Sequence, residues 1–285
     1  IRFESDGEEE EDDGDGDADG ARGRDLTSVL VTTLAWAVRS DPPFPGSDPS
    51  DRRADLAIEV MRIMFALRAV GAAATPDEEL MTQIGILLCD ILHLPNADFR
   101  CYDCKLAAVN LIMDAPAEYG QYLLVNNGIK PLLDVLNAQL STVVIERRGG
   151  GSSDAAAMVP ILAVLTRFSA SNNQILRIVK EHIFPPDAEE GFQSKAQEER
   201  AKLGVGAAGG IGAKNMAPLD APRGTTRWAL TRLMTWPETN VKRCAAELLW
   251  AVCGGDATEF VLRTGFGNAV HMLGIRGVVD LPASG

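Results

Sequence analysis

Asp98 to Met113 reads Asp-Phe-Arg-Cys-Tyr-Asp-Cys-Lys-Leu-Ala-Ala-Val-Asn-Leu-Ile-Met, and after a short connection Leu123-Leu-Val-Asn-Asn-Gly-Ile-Lys-Pro-Leu-Leu133 follows. The same order returns near the end of the chain. There Asn240-Val-Lys-Arg-Cys-Ala-Ala-Glu-Leu-Leu-Trp-Ala-Val-Cys253 precedes Phe260-Val-Leu-Arg-Thr-Gly-Phe-Gly-Asn-Ala-Val-His-Met-Leu273. Apolar residues fall three and four apart, as they do in Leu56, Ile58, Val60, Met61, Met64, Phe65 and Leu67, and alternating patterns are scarce. This periodicity predicts an all-α fold. Asn127-Gly128 and Thr264-Gly265 supply helix ends that tolerate positive φ. Pro42, Pro43, Pro45 and Pro49 separate the first helix from the second, and Thr75-Pro76-Asp77-Glu78 reads as a cap, an N1 proline and first-turn acids.

The repetition resembles the armadillo pattern, in which a helix of the form A-L-s-N-L precedes one of the form G-x-x-x-L-x-x-L-L. Four such first helices are centred on Met64–Leu67, Ala107–Leu111, Val164–Phe168 and Leu248–Val252. With Ala66, Asn110, Arg167 and Ala251 taken as equivalent, the spacings are 44, 57 and 84 residues. Only the first matches a bare repeat of about 40–47 residues. Insertions account for the excess: Arg147 to Ala157 and Pro185 to Gly224 are rich in Gly, Ala and charge and read as flexible loops. The expected architecture is an armadillo/HEAT-like right-handed superhelix of stacked helical repeats, with residues 25–285 forming the repeat domain. Such repeats bury their apolar faces only against one another, and their inner helices line a concave groove. Ile1 opens directly into an acidic run and Leu281–Gly285 follows directly on a helix, as in an excerpt of a longer protein.

The net charge of −13 is mostly local, because residues 1–20 hold eleven carboxylates against Arg2 alone. Residues 1–24 therefore read as an acidic disordered segment. The nearly neutral remainder lacks the basic face that nucleic-acid binding requires. Cys89, Cys101, Cys104, Cys244 and Cys253 form an odd set inside apolar helical patterns, which suits a reducing, cytoplasmic compartment and buried thiols. Cys101-Tyr-Asp-Cys104 has ligand spacing, but no second such pair follows and only His93 is near, so no metal or other cofactor is expected. No segment is long and apolar enough to span a bilayer, which takes roughly 20 apolar residues.

Catalytic patterns are thin. Gly204-Val-Gly-Ala-Ala-Gly209 matches G-x-G-x-x-G but lacks the preceding strand and following helix that the motif needs. His93, His182 and His271 are isolated in sequence, and no nucleophile, zinc or phosphate-loop signature occurs. The expected function is thus binding rather than bond chemistry, and the expected site is the groove. Inward positions lie four apart on each inner helix, giving Arg62 and Ala66, Leu106 and Asn110, Ala163 and Arg167, and Glu247 and Ala251, with Arg243 and Trp250 beside the last pair. Arg62, Asn110, Arg167, Arg243 and Glu247 would offer hydrogen bonds and charge to an inserted helix, and Trp250 an aromatic anchor. Against this, Arg243 and Glu247 at i,i+4 would satisfy each other, and Trp250 would suit a core.

The last sixty residues carry a more specific likeness. Thr225-Thr-Arg-Trp-Ala-Leu-Thr-Arg-Leu-Met-Thr235, Asn240 to Cys253, Thr264-Gly-Phe-Gly-Asn-Ala-Val-His-Met-Leu273 and Arg276-Gly277 resemble the synembryn family pattern "R-x-x-L-x-R-L-M-T … V-K-x-x-A-A-E-x-L … T-G-x-G-N-A … R-G". Ala57–Phe65, Ala108–Leu111, Val159–Thr166 and Phe184–Pro186 fall in the family's order upstream. The departures are the Gly/Ala-rich insert before Thr225, and Ala66 where the family tends to have Asn. The resemblance implies a guanine nucleotide exchange factor and folding chaperone for heterotrimeric G-protein α subunits, one that holds Gα nucleotide-free with the Gα C-terminal helix in the groove. It also implies a place at the cell cortex through Gα. By the same resemblance Lys242, Arg243 and Glu247 fall on the partner-binding helix, and Gly265, Gly267 and Asn268 on the "T-G-x-G-N" turn. The competing reading is a generic armadillo adaptor with a peptide in the same groove, although of the Asn and Trp ladder such grooves carry only Asn110 is in place.

Overall fold

The computed structural model describes residues 16–41, 44, 50–71, 77–95, 98–146, 155–185, 221 and 223–279, with helix only for 16–25. Among the described residues there are twelve α-helices and no strand. The Gly204–Gly209 motif and most of both expected insertions lie outside the described residues. The chain divides into two compact units, Ile1–Ile84 and Gly85–Gly285.

In the first unit α1 (Gly16–Arg39) packs on α2 (Arg53–Ala69). α1 thus begins inside the stretch whose composition reads as the acidic segment. It buries Leu30, Val31, Leu34, Ala37 and Val38, and α2 answers with Ala57, Val60, Met61 and Met64, one stripe at the helical period. Arg53 fixes the connection. It grips the Asp51 carboxylate through Nε and Nη2, and its Nη1 donates to the Ser40 carbonyl at 3.0 Å and hydroxyl at 2.9 Å. α3 (Glu78–Leu92) starts at a cap two residues later than the sequence suggests: Asp77 is the residue that accepts, through Oδ1, the Leu80 N–H at 2.8 Å.

The second unit contains α4 (Phe99–Met113), α5 (Tyr119–Val125), α6 (Ile129–Leu140), α7 (Met158–Ser171), α8 (Asn173–Ile183), α9 (Thr226–Leu233), α10 (Thr239–Val252), α11 (Ala257–Thr264) and α12 (Phe266–Ile275). A π-helical turn, Ser141–Ile145, extends α6. Three of the four helices taken as equivalent from sequence are neighbours here, with α7 packed against both α4 and α10 despite the irregular spacing. A short helix and a longer one follow α4, as α5 and α6, and follow α10, as α11 and α12. The hinge of each pair uses positive φ. Asn127 takes it at 55° and Gly265 at 84°. Gly128 instead has φ −74° and is demanded by space, since an added Cβ would stand 2.9 Å from Leu123 Cδ2 and 3.1 Å from Cys89 Sγ. Cys89, Cys101, Cys104 and Cys253 are buried, as their apolar settings suggest, and burial pushes the Cys89 and Cys253 thiols up to about 12.

Candidate functional site

α4, α7 and α10 are each amphipathic, so each keeps one side out of the core. The core side holds Ala108, Leu111 and Ile112 on α4, Leu162, Val164 and Leu165 on α7, and Ala245, Leu248 and Leu249 on α10. The pairs Leu106 and Asn110, Ala163 and Arg167, and Glu247 and Ala251 are all half-buried or exposed. The projected positions therefore emerge on the open side of three adjoining helices. Arg62 belongs to the first unit, where it is exposed and ion-paired with Glu59.

Within that row the side chains have different roles. Asn110 is exposed on α4. Arg167 is turned to the end of α4, where Nη1 donates to the Met113 carbonyl at 2.9 Å and Nη2 to the Ile112 carbonyl at 2.7 Å. Those carbonyls are among the last of α4, which a helix leaves without partners of its own, and a cation suits that end of the dipole. Arg167 thus ties α7 to α4 rather than reaching outward. We expect Arg167→Gln to lower stability by about 1–2 kcal/mol, read from urea unfolding, with the fold retained.

On α10, Lys242 is half-buried and Arg243 exposed. Arg243 does not pair with Glu247, contrary to the i,i+4 expectation. Glu247 is paired with Arg276, the C-cap residue of α12, whose guanidinium also lies 5.8 Å from the Trp250 ring centroid. Packing of α12 on α10 brings in this competitor from far along the chain, and among the described residues Arg243 has no ion-pair partner. Trp250 is half-buried, with one edge against Phe260 at 5.4 Å and 79°, so the core and surface readings each hold for part of the ring. Asn268 is half-buried, and its Nδ2 donates to the Thr264 carbonyl at 2.7 Å and closes the turn between α11 and α12. Burial lifts the Cys244 thiol above its ordinary value, with Arg243 opposing, which keeps it protonated near neutral pH. The outward set is Asn110, Lys242, Arg243, Glu247 and Trp250, joined by Arg276, which helix periodicity could not place there.

No described helix is long and apolar enough to cross a membrane. Residues 221–284 match the profile of the family described as "Guanine nucleotide exchange factor synembryn", and this span includes α9 to α12. Over most of its length the chain is similar to proteins named "Chaperone Ric-8A". It is 27% identical to that of Macaca fascicularis over 266 residues, 89% of this chain and 44% of the relative. It is 25% identical to that of Gallus gallus over 248 residues, 84% of this chain and 40% of the relative. With the Xenopus laevis protein the identity is 25% over 274 residues, covering 89% and 45%. The chain thus spans less than half the length of these relatives. The profile match over α9 to α12, together with similarity along nearly the whole chain, supports a relationship to the synembryn family.

Proposed function

We propose that this chain binds heterotrimeric G-protein α subunits on the α4, α7 and α10 face, receiving the C-terminal helix of Gα there. On this reading it contributes to nucleotide exchange on Gα and to Gα folding in the cytoplasm. The observation that carries the reading is the position of Arg243. It is an exposed cation without an ion-pair partner among the described residues, on the helix that falls within the exchange-factor profile. Glu247, Trp250 and Asn110 add an acceptor, an aromatic edge and an amide, the mixture that a helix laid in a groove uses.

Exchange on this account is a shift of population, not a reaction. A partner that prefers Gα with its last helix drawn away from the nucleotide site stabilises the nucleotide-free form by its difference in affinity for the two forms. None of the chain's residues has to touch nucleotide. The test is capture of purified Gα, GDP-bound or nucleotide-free, by the immobilised chain. Nucleotide-free Gα should be retained preferentially, and Arg243→Glu should weaken retention by about tenfold with Tm unchanged, because the side chain is exposed. Equal retention by wild type and Arg243→Glu would remove Arg243 from the site, and no retention of either form would refute the reading itself.

A further inference from the structure

A cleft of about 380 Å³ lies where the π-helical turn Ser141–Ile145 meets α9, lined by Val144, Arg223, Trp228, Arg232, Thr235 and Trp236. It belongs to the layer of α6 and α9, not to the α4, α7 and α10 face, and nothing said of Gα bears on it. The Arg223 guanidinium stands 5.9 Å from the Trp228 ring centroid and the Arg232 guanidinium 5.5 Å from it. Both arginines are exposed, and among the described residues neither has an ion-pair partner. Among the described residues no carboxylate lines the cleft. Glu146, two residues from Val144, accepts from the Ser141 hydroxyl at 3.2 Å.

We infer that this cleft docks an acidic peptide segment of a partner protein, with a carboxylate side chain held by Arg223 and Arg232 and a large apolar neighbour resting on Trp236 and Val144. A guanidinium drawn toward an indole by its ring charge keeps its N–H donors available, so the approach places the cation without using the donors. Two such groups lining one cleft offer charge-assisted donors to a carboxylate. The indoles and Val144 supply the apolar contact that anchors a peptide and thins the water around the charges. Outside its acidic first residues the chain is close to neutral, so this pair is a local cationic site and not part of a general basic surface.

The test uses the full chain and three probes: a short fluorescein-labelled peptide alternating Asp and Glu with Phe, the same peptide with Asn and Gln replacing the acids, and pyrophosphate. The acidic peptide should bind roughly tenfold tighter than its amide counterpart and weaken with added salt. Arg223→Glu with Arg232→Glu should reduce its binding by about tenfold at unchanged helicity. Equal binding of the amide peptide would overturn the inference, because the cleft would then read apolar surface alone. Displacement of the acidic peptide by equimolar pyrophosphate would overturn it in favour of a phosphate site. Unchanged binding by the doubly reversed chain would overturn it by placing the peptide elsewhere. The peptide pair tests the claim on the unaltered chain, so the result does not hang on the folding of a variant.

Discussion

Phe168→Ala should lower the stability of the second unit by about 3–5 kcal/mol, the largest loss expected from any single substitution considered for this chain. The ring is fully buried on α7. Its surroundings explain the size of the effect. Gly120 on α5 is close enough that an added Cβ would stand 3.2 Å from Phe168 Cδ1 and 3.3 Å from Ile175 Cδ1 on α8. The ring fills the space that a missing side chain on α5 leaves, between α5 and α8, and alanine would open a cavity that three helices cannot easily close. Arg167, 4.9 Å from the same ring, would lose its stacking surface beside the α4 carbonyls it caps. Phe168→Leu retains most of the volume and should cost about 1–1.5 kcal/mol. Urea unfolding followed by circular dichroism checks both, with the midpoint falling at an unchanged slope. A loss below about 1 kcal/mol for the alanine variant would mean that this packing is not as described.

Arg227→Ala is expected to cost about 2–4 kcal/mol, for a different reason. This guanidinium is buried on α9 and donates twice to one acceptor, the Arg263 carbonyl, from Nε at 3.0 Å and Nη2 at 2.8 Å. The acceptor lies in the last turn of α11, so the bonds satisfy a helix-end carbonyl and place a cation at the negative pole. The Phe184 ring centroid lies 3.9 Å from the Arg263 guanidinium and 5.8 Å from that of Arg227, and Glu259 joins Arg263 at 2.8 Å to Lys180 at 3.1 Å. α8, α9 and α11 are held together through these contacts. Arg227→Lys should recover little, because a point ammonium cannot reproduce the two guanidinium donors to one carbonyl. A lysine variant as stable as wild type would show that charge alone matters at this position.

The helices were legible in sequence because their cause is local. The stripe of Ala57, Val60, Met61 and Met64, the hinge residues Asn127 and Gly265, and the repeated order of α4 to α6 and α10 to α12 follow from periodicity and backbone preference. The stacking of α4, α7 and α10 was legible too, because an inner helix that leaves its repeat still needs its neighbours to bury its apolar side. What periodicity could not show was which charges on the open face already had partners. Arg167 finds its acceptors 54 and 55 residues away, and Glu247 finds Arg276 29 residues away. Those pairings depend on how helices pack, so Glu247 pairs with Arg276 and not with Arg243, and Asn268 bonds within its own turn. The Arg223, Trp228 and Arg232 cleft was missed because its residues come from a turn, a helix and the stretch before it.

Hydrogen exchange of the chain with and without nucleotide-free Gα tests the central claim most directly. Binding across α4, α7 and α10 predicts added protection there, strongest in the Asn240–Trp250 stretch and reduced in the Arg243→Glu variant, with α6 and α9 unchanged. Protection confined to α6 and α9, or none anywhere, would contradict it.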